Sequence, residues 1–483
     1  MGNDTNTTVP EVTKEHLLTL SKEALCGLVL LLVDQNKKIP VLEARIAELE
    51  RRLGMNSGNS SKPPSSDPPG NNPKRNGKRK SKRRRGAQKG HKGHHRSLVP
   101  EDQVSNLESV APEVCSHCGG THLKINFKNP WRHQVWDLPQ IKPFINEWRM
   151  GEGICMDCGV STRADLPAGV PTGQFGPSLE ALVAYLSGAC HQSKRFIQAM
   201  LEDVFGVEMC LGSVSKCEKN ISEALANSVE EAKHAVQQAD LAYADETGWR
   251  EENKKAWLWV MLTSYLTVFM IDRGRNQESA KRLLGGFLGI LVCDRYGAYN
   301  IHKGLRQFCW AHLLRKFIGF SELKGKAGRI GDQLVDKTLL MFKWWHRIRD
   351  GTMKRKTFQR RMIKLRIEIE DLLIEGEVYG HEHMAGTCKR IIEQSEYLWT
   401  FVDHEGVPPT NNAAERAIRR AVLWRKGCFG TQSETGSRFV ERILTVAATC
   451  RQQGRGILEF LVHTRQAHLS GSSTPSLLAA QTT

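Results

Sequence analysis

The chain has 483 residues, which is too long for one compact core, so several domains are expected. Its formal net charge is +17, but residues 74–96 hold twelve Lys and Arg with no Asp or Glu, which leaves only +5 for everything else. One basic tract of this kind indicates a polyanionic partner, most simply nucleic acid.

Composition also excludes several classes of protein. No apolar run approaches the roughly 20 residues of a membrane span, since the best candidate, residues 25–33, ends at Asp34. The N-terminus lacks the basic, apolar and cleavage regions of a secretory signal. Thirteen cysteines, four of them in two C-x-x-C pairs, favour a reducing compartment and a metal site over a disulfide framework.

Residues 1–55 predict a helical segment that carries a short leucine seam. The seam has the 3-4 spacing of a coiled coil and consists of Ile39, Leu42, Ile46, Leu49 and Leu53. It spans about two heptads, and Pro40 is expected in the first helical turn. Local packing and self-association both remain open. Residues 56–100 are rich in Gly, Asn, Ser and Pro and then in basic residues, so a disordered basic linker is predicted.

Two cysteine pairs predict a zinc site in residues 101–166. Cys115 and Cys118 form one C-x-x-C-G motif, and Cys155 and Cys158 form the other. Four thiolates give zinc a closed tetrahedral site of the structural kind. Strand-like segments at residues 131–137 and 141–149 lie between the pairs, so a zinc ribbon is predicted. The alternative is four unrelated buried thiols, which the repeated motif disfavours.

Residues 167–239 predict three helices. Gly206 is expected to end the second helix, and Ser213 is expected to be the N-cap of the third. Two helices around a turn bounded by Gly are compatible with a helix-turn-helix that reads DNA. An ordinary helical linker is the alternative, because the third helix is long and becomes acidic.

Residues 240–468 predict a mixed α/β domain. After the stretch 241–249, strands are predicted at residues 256–263, 265–271, 289–294 and 307–310, with helices at 276–287 and 311–320. Apolar stripes then predict a helical insertion at about 325–405, and residues 469–483 are predicted to be a disordered tail. Periodicity alone supports a mixed α/β core. The order of the elements matches that of ribonuclease H-like proteins.

Three acids in this domain suggest phosphoryl-transfer chemistry. Asp245 and Asp294 each close a short apolar run, and Glu415 lies near the start of a helix rich in Arg. Acids at strand ends and on a helix can share two divalent cations, which promote in-line attack at phosphorus. Glu246 adjoins Asp245, but neighbouring strand residues face opposite ways, so only one of them is expected to reach the metals.

These motifs give the chain a family resemblance. It resembles the DDE transposases of the insertion sequence 66 family over nearly its whole length. The residues that carry the resemblance, in chain order, are Leu49-Glu50-Arg51-Arg52-Leu53-Gly54, Asn59-Ser60-Ser61-Lys62-Pro63-Pro64-Ser65-Ser66-Asp67, Gly90-His91-Lys92-Gly93, the two cysteine pairs, Asp245-Glu246-Thr247-Gly248-Trp249, Asp294-Arg295-Tyr296, Cys309-Trp310-Ala311-His312-Leu313 and Asn411-Asn412-Ala413-Ala414-Glu415-Arg416.

The resemblance implies a fold, a mechanism and a set of ligands. The fold is a ribonuclease H-like catalytic core with a helical insertion, preceded by a zinc ribbon and an N-terminal helical segment. Asp245, Asp294 and Glu415 form the catalytic triad and hold two Mg²⁺ or Mn²⁺ ions, which serve cleavage of transposon ends and strand transfer into target DNA. The four cysteines hold Zn²⁺. DNA contacts are expected from Lys78, Arg79, Lys80, Lys82, Arg83, Arg84 and Arg85 in the tract, and from Arg416, Arg419 and Arg420 on the last helix.

The resemblance also implies partners and a location. The partners are double-stranded DNA (terminal inverted repeats and target), further copies of the chain, and accessory proteins encoded by the same element, with no membrane. The location is the bacterial cytoplasm, associated with the nucleoid. Two rival functions stay open at this point. One is a zinc-ribbon DNA-binding protein with an inactive ribonuclease H-like core, and the other is a metal-dependent nuclease without strand transfer.

Overall fold

The protein is described from a computed structural model that covers residues 14–60, 67, 86–87, 90–93, 96–380 and 382–478. Within these ranges, no helix combines the length and the apolar character needed to cross a membrane. The predicted mixed α/β character is confirmed. Most elements are helices, and a five-stranded mixed sheet lies within the larger of two hydrophobic cores.

The chain begins with α1 (Lys14–Leu18) and the long helix α2 (Lys22–Gly54). The Ser21 side chain caps α2 by accepting a hydrogen bond from the Ala24 N–H at 3.2 Å. Pro40 lies inside α2 and not in its first turn, so that prediction was wrong. The apolar residues before Pro40 are helical too, so the helix continues through the proline, although an interior proline removes one backbone hydrogen bond and crowds the carbonyl four residues earlier. All five seam residues are exposed, namely Ile39, Leu42, Ile46, Leu49 and Leu53.

The cysteine-rich region contains little regular structure. A 3₁₀ turn spans Glu101–Gln103, and an antiparallel hairpin is formed by β1 (Glu152–Ile154) and β2 (Ser161–Arg163). The strands predicted at residues 131–137 and 141–149 are absent from this described stretch. Their apolar side chains are exposed, as Trp131 at 88% and Phe144 at 91% show, and without a partner a strand gains no ladder hydrogen bonds.

Four helices and a π-helical turn replace the three helices predicted next. They are α3 (Pro177–Ala184), the turn Tyr185–Ala189, α4 (Lys194–Phe205), α5 (Leu211–Ala224) and α6 (Ala226–Gln237). Gly206 ends α4 in the left-handed conformation, as predicted. Cys210, and not Ser213, is the N-cap of α5; its Sγ lies 3.2 Å from the Ser213 hydroxyl, inside the first turn.

The central sheet has the strand order β5-β4-β3-β6-β7. Its elements are β3 (Leu241–Glu251), β4 (Lys254–Leu262), β5 (Thr267–Asp272), α7 (Gln277–Leu284), β6 (Ile290–Cys293) and β7 (Arg306–Phe308). β4 runs antiparallel to β3 and to β5, whereas β6 is parallel to β3 and to β7. Most residues of β4 and β6 are buried whichever face they point to, which explains the nearly continuous apolar sequences of these two strands.

Helices complete the fold. They are α8 (Trp310–Ser321), α9 (Gly325–Arg349), α10 (Arg355–Tyr379), α11 (Glu382–Ile392), α12 (Thr400–Asp403), α13 (Asn412–Cys428), α14 (Glu434–Gln453) and α15 (Ile457–Ser470). The predicted break at Asp350-Gly351 separates α9 from α10. Trp345 packs its ring against Phe358 and Phe401, so it belongs to the core, as expected, and does not form an exposed stacking platform.

Parts of two segments predicted to be disordered contact the folded body. Residues 56–60 pack against α8: Asn59 Nδ2 donates to Glu322 Oε2 at 2.6 Å, and Ser60 is buried. Residues 471–478 return to the body, where Leu477 is fully buried. Both segments are polar in composition, and local contacts of a few side chains stabilise them, which composition does not reveal.

Candidate active site

Asp245 and Asp294 lie where two parallel strands separate. Asp245 is in the middle of β3, opposite Val260 of β4, and not at a strand end as predicted. β6 pairs with β3 only as far as Tyr243, and Asp294 follows Cys293, the last residue of β6. The pairing of the strands ends here, although β3 continues. Both carboxylates therefore lie next to the same gap in the sheet.

The third acid, Glu415, is brought to this gap by α13, which is fixed to β3 at both ends. At its start, Asn411 Nδ2 donates to the carbonyl oxygen of Ala244 at 2.8 Å, and the Asn411 carbonyl accepts from the Glu415 N–H at 3.2 Å. At its other end, Arg425 Nη1 donates to the carbonyl oxygen of Gly248. α13 lies along β3, which brings Glu415 near enough to affect the pKa of Asp245. The oxygens of Asp245, Asp294 and Glu415 do not all lie within 4.8 Å of one another.

The three carboxylates interact electrostatically. Burial, followed by repulsion from Glu246, Asp294 and Glu415, raises the pKa of Asp245 well above its usual range. Burial and repulsion from Glu246, with a smaller effect of Glu415, raise the pKa of Asp294 to about 6. A group of half-buried acids that repel one another is stabilised when a cation binds among them. The arrangement therefore suits a metal centre.

The Glu246 side chain is engaged by two partners, Arg275 and the buried Tyr299. Arg275 donates to its Oε1 through Nε at 3.1 Å and Nη2 at 2.8 Å. The Tyr299 hydroxyl donates to its Oε2 at 2.6 Å. Arg275 also lowers the pKa of Asp294 by its charge. Glu246 is thus engaged by a cation and a hydroxyl, and Asp245 has no such ion pair.

A second grouping around Glu415 was not foreseen. Cys309 Sγ, His312 Nδ1 and a Glu415 oxygen all lie within 4.8 Å of one another, and no other group of three metal-ligand types in the described part of the chain does so. His312 Nδ1 lies 3.6 Å from Glu415 Oε1, and Arg315 Nη2 lies 3.4 Å from the same oxygen. Burial, with the charges of Arg315 and Lys316, lowers the pKa of His312 to about 3, so the imidazole is neutral.

Cys309 is already engaged in the backbone framework. Its Sγ accepts a hydrogen bond from the Asn411 N–H at 3.2 Å, and burial raises the pKa of its thiol to about 11. The thiolate is the form that binds metals. Cys309 therefore acts first as a structural contact between α8 and the start of α13.

The two cysteine pairs adopt the same local turn. The Cys115 N–H donates to the Gly120 carbonyl and the Gly119 N–H to the Cys115 carbonyl; Cys155 repeats this with Val160 and Gly159. Backbone hydrogen bonds lower the pKa of Cys115 and of Cys155. The structure does not bring the pairs together, because no three of the four sulfurs lie within 4.8 Å of one another.

The predicted basic residues divide into two sets. Arg416, Arg419 and Arg420 lie on the exposed face of α13, within about two turns of Glu415. The tract residues lie outside the described part of the chain, and they are Lys78, Arg79, Lys80, Lys82, Arg83, Arg84 and Arg85.

Comparison with known proteins decides the family. The model of the transposase IS66 family matches residues 172–438, more than half of the chain. This chain belongs to the IS66 family of transposases. The matched residues include Asp245, Asp294 and Glu415, together with the elements that carry them, β3, β6 and α13. Residues 13–97 also match a family of unknown function, DUF6444.

Two curated relatives come from Sinorhizobium fredii strain NGR234. The uncharacterized protein y4qI is 26% identical over 262 residues, which are 47% of this chain and 48% of that protein. The uncharacterized protein y4hP is 22% identical over 383 residues, which are 70% of this chain and 68% of that protein. The chain thus spans about half the length of the first relative and about two thirds of the second.

Sequence reasoning missed the residues that position Asp245 and Glu415. Asn411 and Arg425 fix α13 on β3, and Arg275 engages Glu246. Asn411 carried a signal, since it directly precedes the Asn-Ala-Ala-Glu stretch and can act as a helix N-cap. Arg275 and Arg425 carried none, because their partners are distant in sequence.

Proposed function

We propose that this transposase cleaves DNA at the ends of a mobile element and joins those ends to target DNA, with Asp245, Asp294 and Glu415 as the acids of a two-metal centre. The observation that supports the proposal is that acids carried by β3, β6 and α13 are close enough for their charges to raise the pKa of Asp245 and of Asp294 at the gap in the sheet. The strand order supports a ribonuclease H-like core, with an antiparallel half and a parallel half.

The residues fit divalent metal ions. Carboxylate oxygens are the ligands that Mg²⁺ and Mn²⁺ prefer, and the raised pKa of Asp245 and of Asp294 reflects repulsion that a cation would relieve. Asp245, Asp294 and Glu415 would hold the ions. When bound, such ions stabilise the negative charge that develops in phosphoryl transfer. Grouping Glu415 with the two Asp residues is preferred over grouping it with Cys309, because the Cys309 sulfur is already hydrogen bonded.

The chain's own residues prepare this centre. Arg315 and neutral His312 lie beside one oxygen of Glu415 and limit its rotation. Arg275 balances the charge of Glu246, so that the fixed charge beside the acids is smaller. Arg416, Arg419 and Arg420 are exposed next to Glu415, where they can contact phosphates and hold the DNA backbone against the centre.

We also propose that Cys115, Cys118, Cys155 and Cys158 bind one structural zinc ion. The support is the identical turn at both pairs, in which backbone amides favour the thiolate of Cys115 and of Cys155. Zinc binding requires the two pairs to approach each other, and it would order a region whose large apolar side chains are exposed. Four thiolates leave no position for water, so the role is structural.

An assay that separates cleavage from joining tests the main proposal. A duplex with the element's terminal sequence and a supercoiled plasmid are incubated with the protein in Mg²⁺ or in chelator. A transposase gives cut ends and plasmid-linked products in Mg²⁺ only. Cut ends without linked products would identify a nuclease, and binding without either product would identify a DNA-binding protein with an inactive core.

A further inference from the structure

A strongly basic cleft lies at the far end of the junction between α13 and β3. Its volume is about 700 Å³, and four of the side chains that line it are cationic, namely Arg250, Lys255, Arg425 and Lys426. None of the lining residues is acidic. Positive side chains that line a concave site raise the local electrostatic potential and attract anions.

An exposed aromatic side chain stands at the edge of this cleft. Phe429 is 75% exposed, although it directly follows α13 and lines the cleft. Its φ is +61°, the left-handed conformation that normally favours glycine at the end of a helix. Neither packing nor backbone preference accounts for Phe429 at this position, and its exposed ring is available to contact a ligand.

The backbone around Phe429 is rigid. The Thr431 N–H donates to the Arg250 carbonyl at 2.9 Å, and the Thr431 carbonyl accepts from the Glu252 N–H at 2.9 Å. A Cβ on Gly430 would lie 2.3 Å from the Arg250 oxygen, so only glycine permits this close approach. The segment after α13 is thereby fixed along β3, and the Phe429 ring is presented from a firm base.

The cleft and two of the three acids are carried mainly by the same two elements, β3 and α13, so backbone spacing gives the distance between them. Gly248 is three residues beyond Asp245 on β3, or about 10 Å. Arg425 is ten residues beyond Glu415 on α13, or about 15 Å. These separations correspond to about three or four nucleotides of stacked DNA at 3.4 Å each. The exposed Arg416, Arg419 and Arg420 lie between Glu415 and Arg425 along α13.

We propose that this cleft binds a single-stranded stretch of DNA about three to four nucleotides from the phosphate that is cut. Arg250, Lys255 and Lys426 contact the phosphates, and Phe429 stacks against one unpaired base. Cationic grooves combined with an exposed aromatic ring are how proteins hold single strands without reading their sequence. The inference rests on the proposed function, because DNA processing is what brings a strand to α13.

Binding and photocrosslinking in chelator test the cleft without catalysis. The probes are a blunt duplex and the same duplex with a five-nucleotide overhang, which carries 5-iodouracil at each position in turn. The crosslink is expected at Phe429 from one overhang position. Phe429→Gly should bind the overhang about tenfold more weakly, lose the crosslink, and bind the blunt duplex as before. Phe429→Trp should retain overhang affinity.

The choice of glycine separates binding from folding. Because glycine adopts φ near +61° without strain, Phe429→Gly should melt at the same temperature as the unaltered protein or higher. Tyr265→Ala removes another exposed aromatic side chain, in the turn between β4 and β5, and should change neither affinity nor crosslink. Full overhang affinity in Phe429→Gly, or a crosslink that maps elsewhere, would overturn the proposal.

The test of the cleft can succeed or fail independently of the test of cleavage and joining. Asp245→Asn should bind the overhang normally although it cannot cleave. If the unaltered protein fails to cleave or join but Phe429→Gly still loses overhang binding, the cleft assignment stands and the catalytic proposal fails. If cleavage and joining occur but Phe429→Gly binds and crosslinks like the unaltered protein, the catalytic proposal stands and the cleft assignment fails.

Discussion

The Asn411 side chain donates a hydrogen bond to the backbone oxygen of Ala244, 2.8 Å away. Ala244 directly precedes Asp245, and Asn411 opens the first turn of the helix that carries Glu415. One buried amide therefore fixes the relative position of two of the three acids, although 167 residues separate the bonded pair along the chain.

Replacing Asn411 should loosen this junction. Asn411→Ala leaves the buried Ala244 carbonyl without its donor, so unfolding should become easier by about 1–3 kcal/mol. Cleavage should fall further than DNA binding does, because Glu415 is no longer held in a fixed position relative to Asp245. Urea unfolding and a cleavage assay measure both effects. Asn412→Ala, at the exposed next position, is the matched control and should behave like the unaltered protein.

Glu246→Gln should act mainly on stability and should not remove a metal ligand, because the Glu246 side chain influences Asp245 and Asp294 through its charge. The Glu246 carboxylate is buried against Arg275 and Tyr299, so its neutralisation leaves Arg275 without its partner. The melting temperature should therefore fall, while the concentration of Mg²⁺ that gives half-maximal cleavage stays within about twofold. A large rise in that concentration would show that Glu246 is itself a ligand.

Stability should decline as the pH rises from about 4.5 to about 7. Burial under β5 raises the pKa of Glu441 from 4.5 to about 7, and the charge of Arg438 opposes this only in part. In this range the folded state binds more protons than the unfolded state, so raising the pH favours unfolding. Melting temperatures across this range should fall less steeply in Glu441→Gln. An identical slope in both proteins would contradict the assignment.

The zinc proposal predicts about one zinc ion per chain in protein purified without chelator. Cys115→Ser and Cys158→Ser should each lose the metal, because each removes one of four ligands. The cut sites in residues 110–165 should then become more sensitive to protease. Cys26→Ser changes an exposed cysteine in α2 and should keep full zinc content. A zinc-free protein whose residues 110–165 still resist protease would rule the site out.

Elements with strong periodicity were predictable, because burial imposes a pattern on the sequence. The strands of the central sheet and helices α8 to α10 follow their apolar residues closely. Pro40 was misplaced because proline is best tolerated in the first turn of a helix, whereas here the helix extends well beyond it on both sides. The strand predictions at residues 131–137 and 141–149 were wrong. Alternating apolar side chains show which residues a strand could bury, but they do not show whether a neighbouring strand is present.

The site was only partly predictable from sequence. Asp245, Asp294 and Glu415 stood out because each has a distinctive local setting. The bonds of Asn411 to β3, of Arg275 to Glu246 and of Arg425 to Gly248 join positions that are far apart in the chain, so local pattern holds no trace of them. The cleft beside Phe429 likewise depends on two elements that meet only after folding.

The central claim is that Asp245, Asp294 and Glu415 together perform metal-dependent DNA cleavage and joining. The most direct measurement uses terminal duplexes that are already cut, and follows their joining to a plasmid in Mg²⁺. Asp245→Asn, Asp294→Asn and Glu415→Gln should each abolish joining while binding the duplex within about threefold, and Glu405→Gln, an exposed acid, should join normally. Normal joining by any one of the three variants would contradict the account.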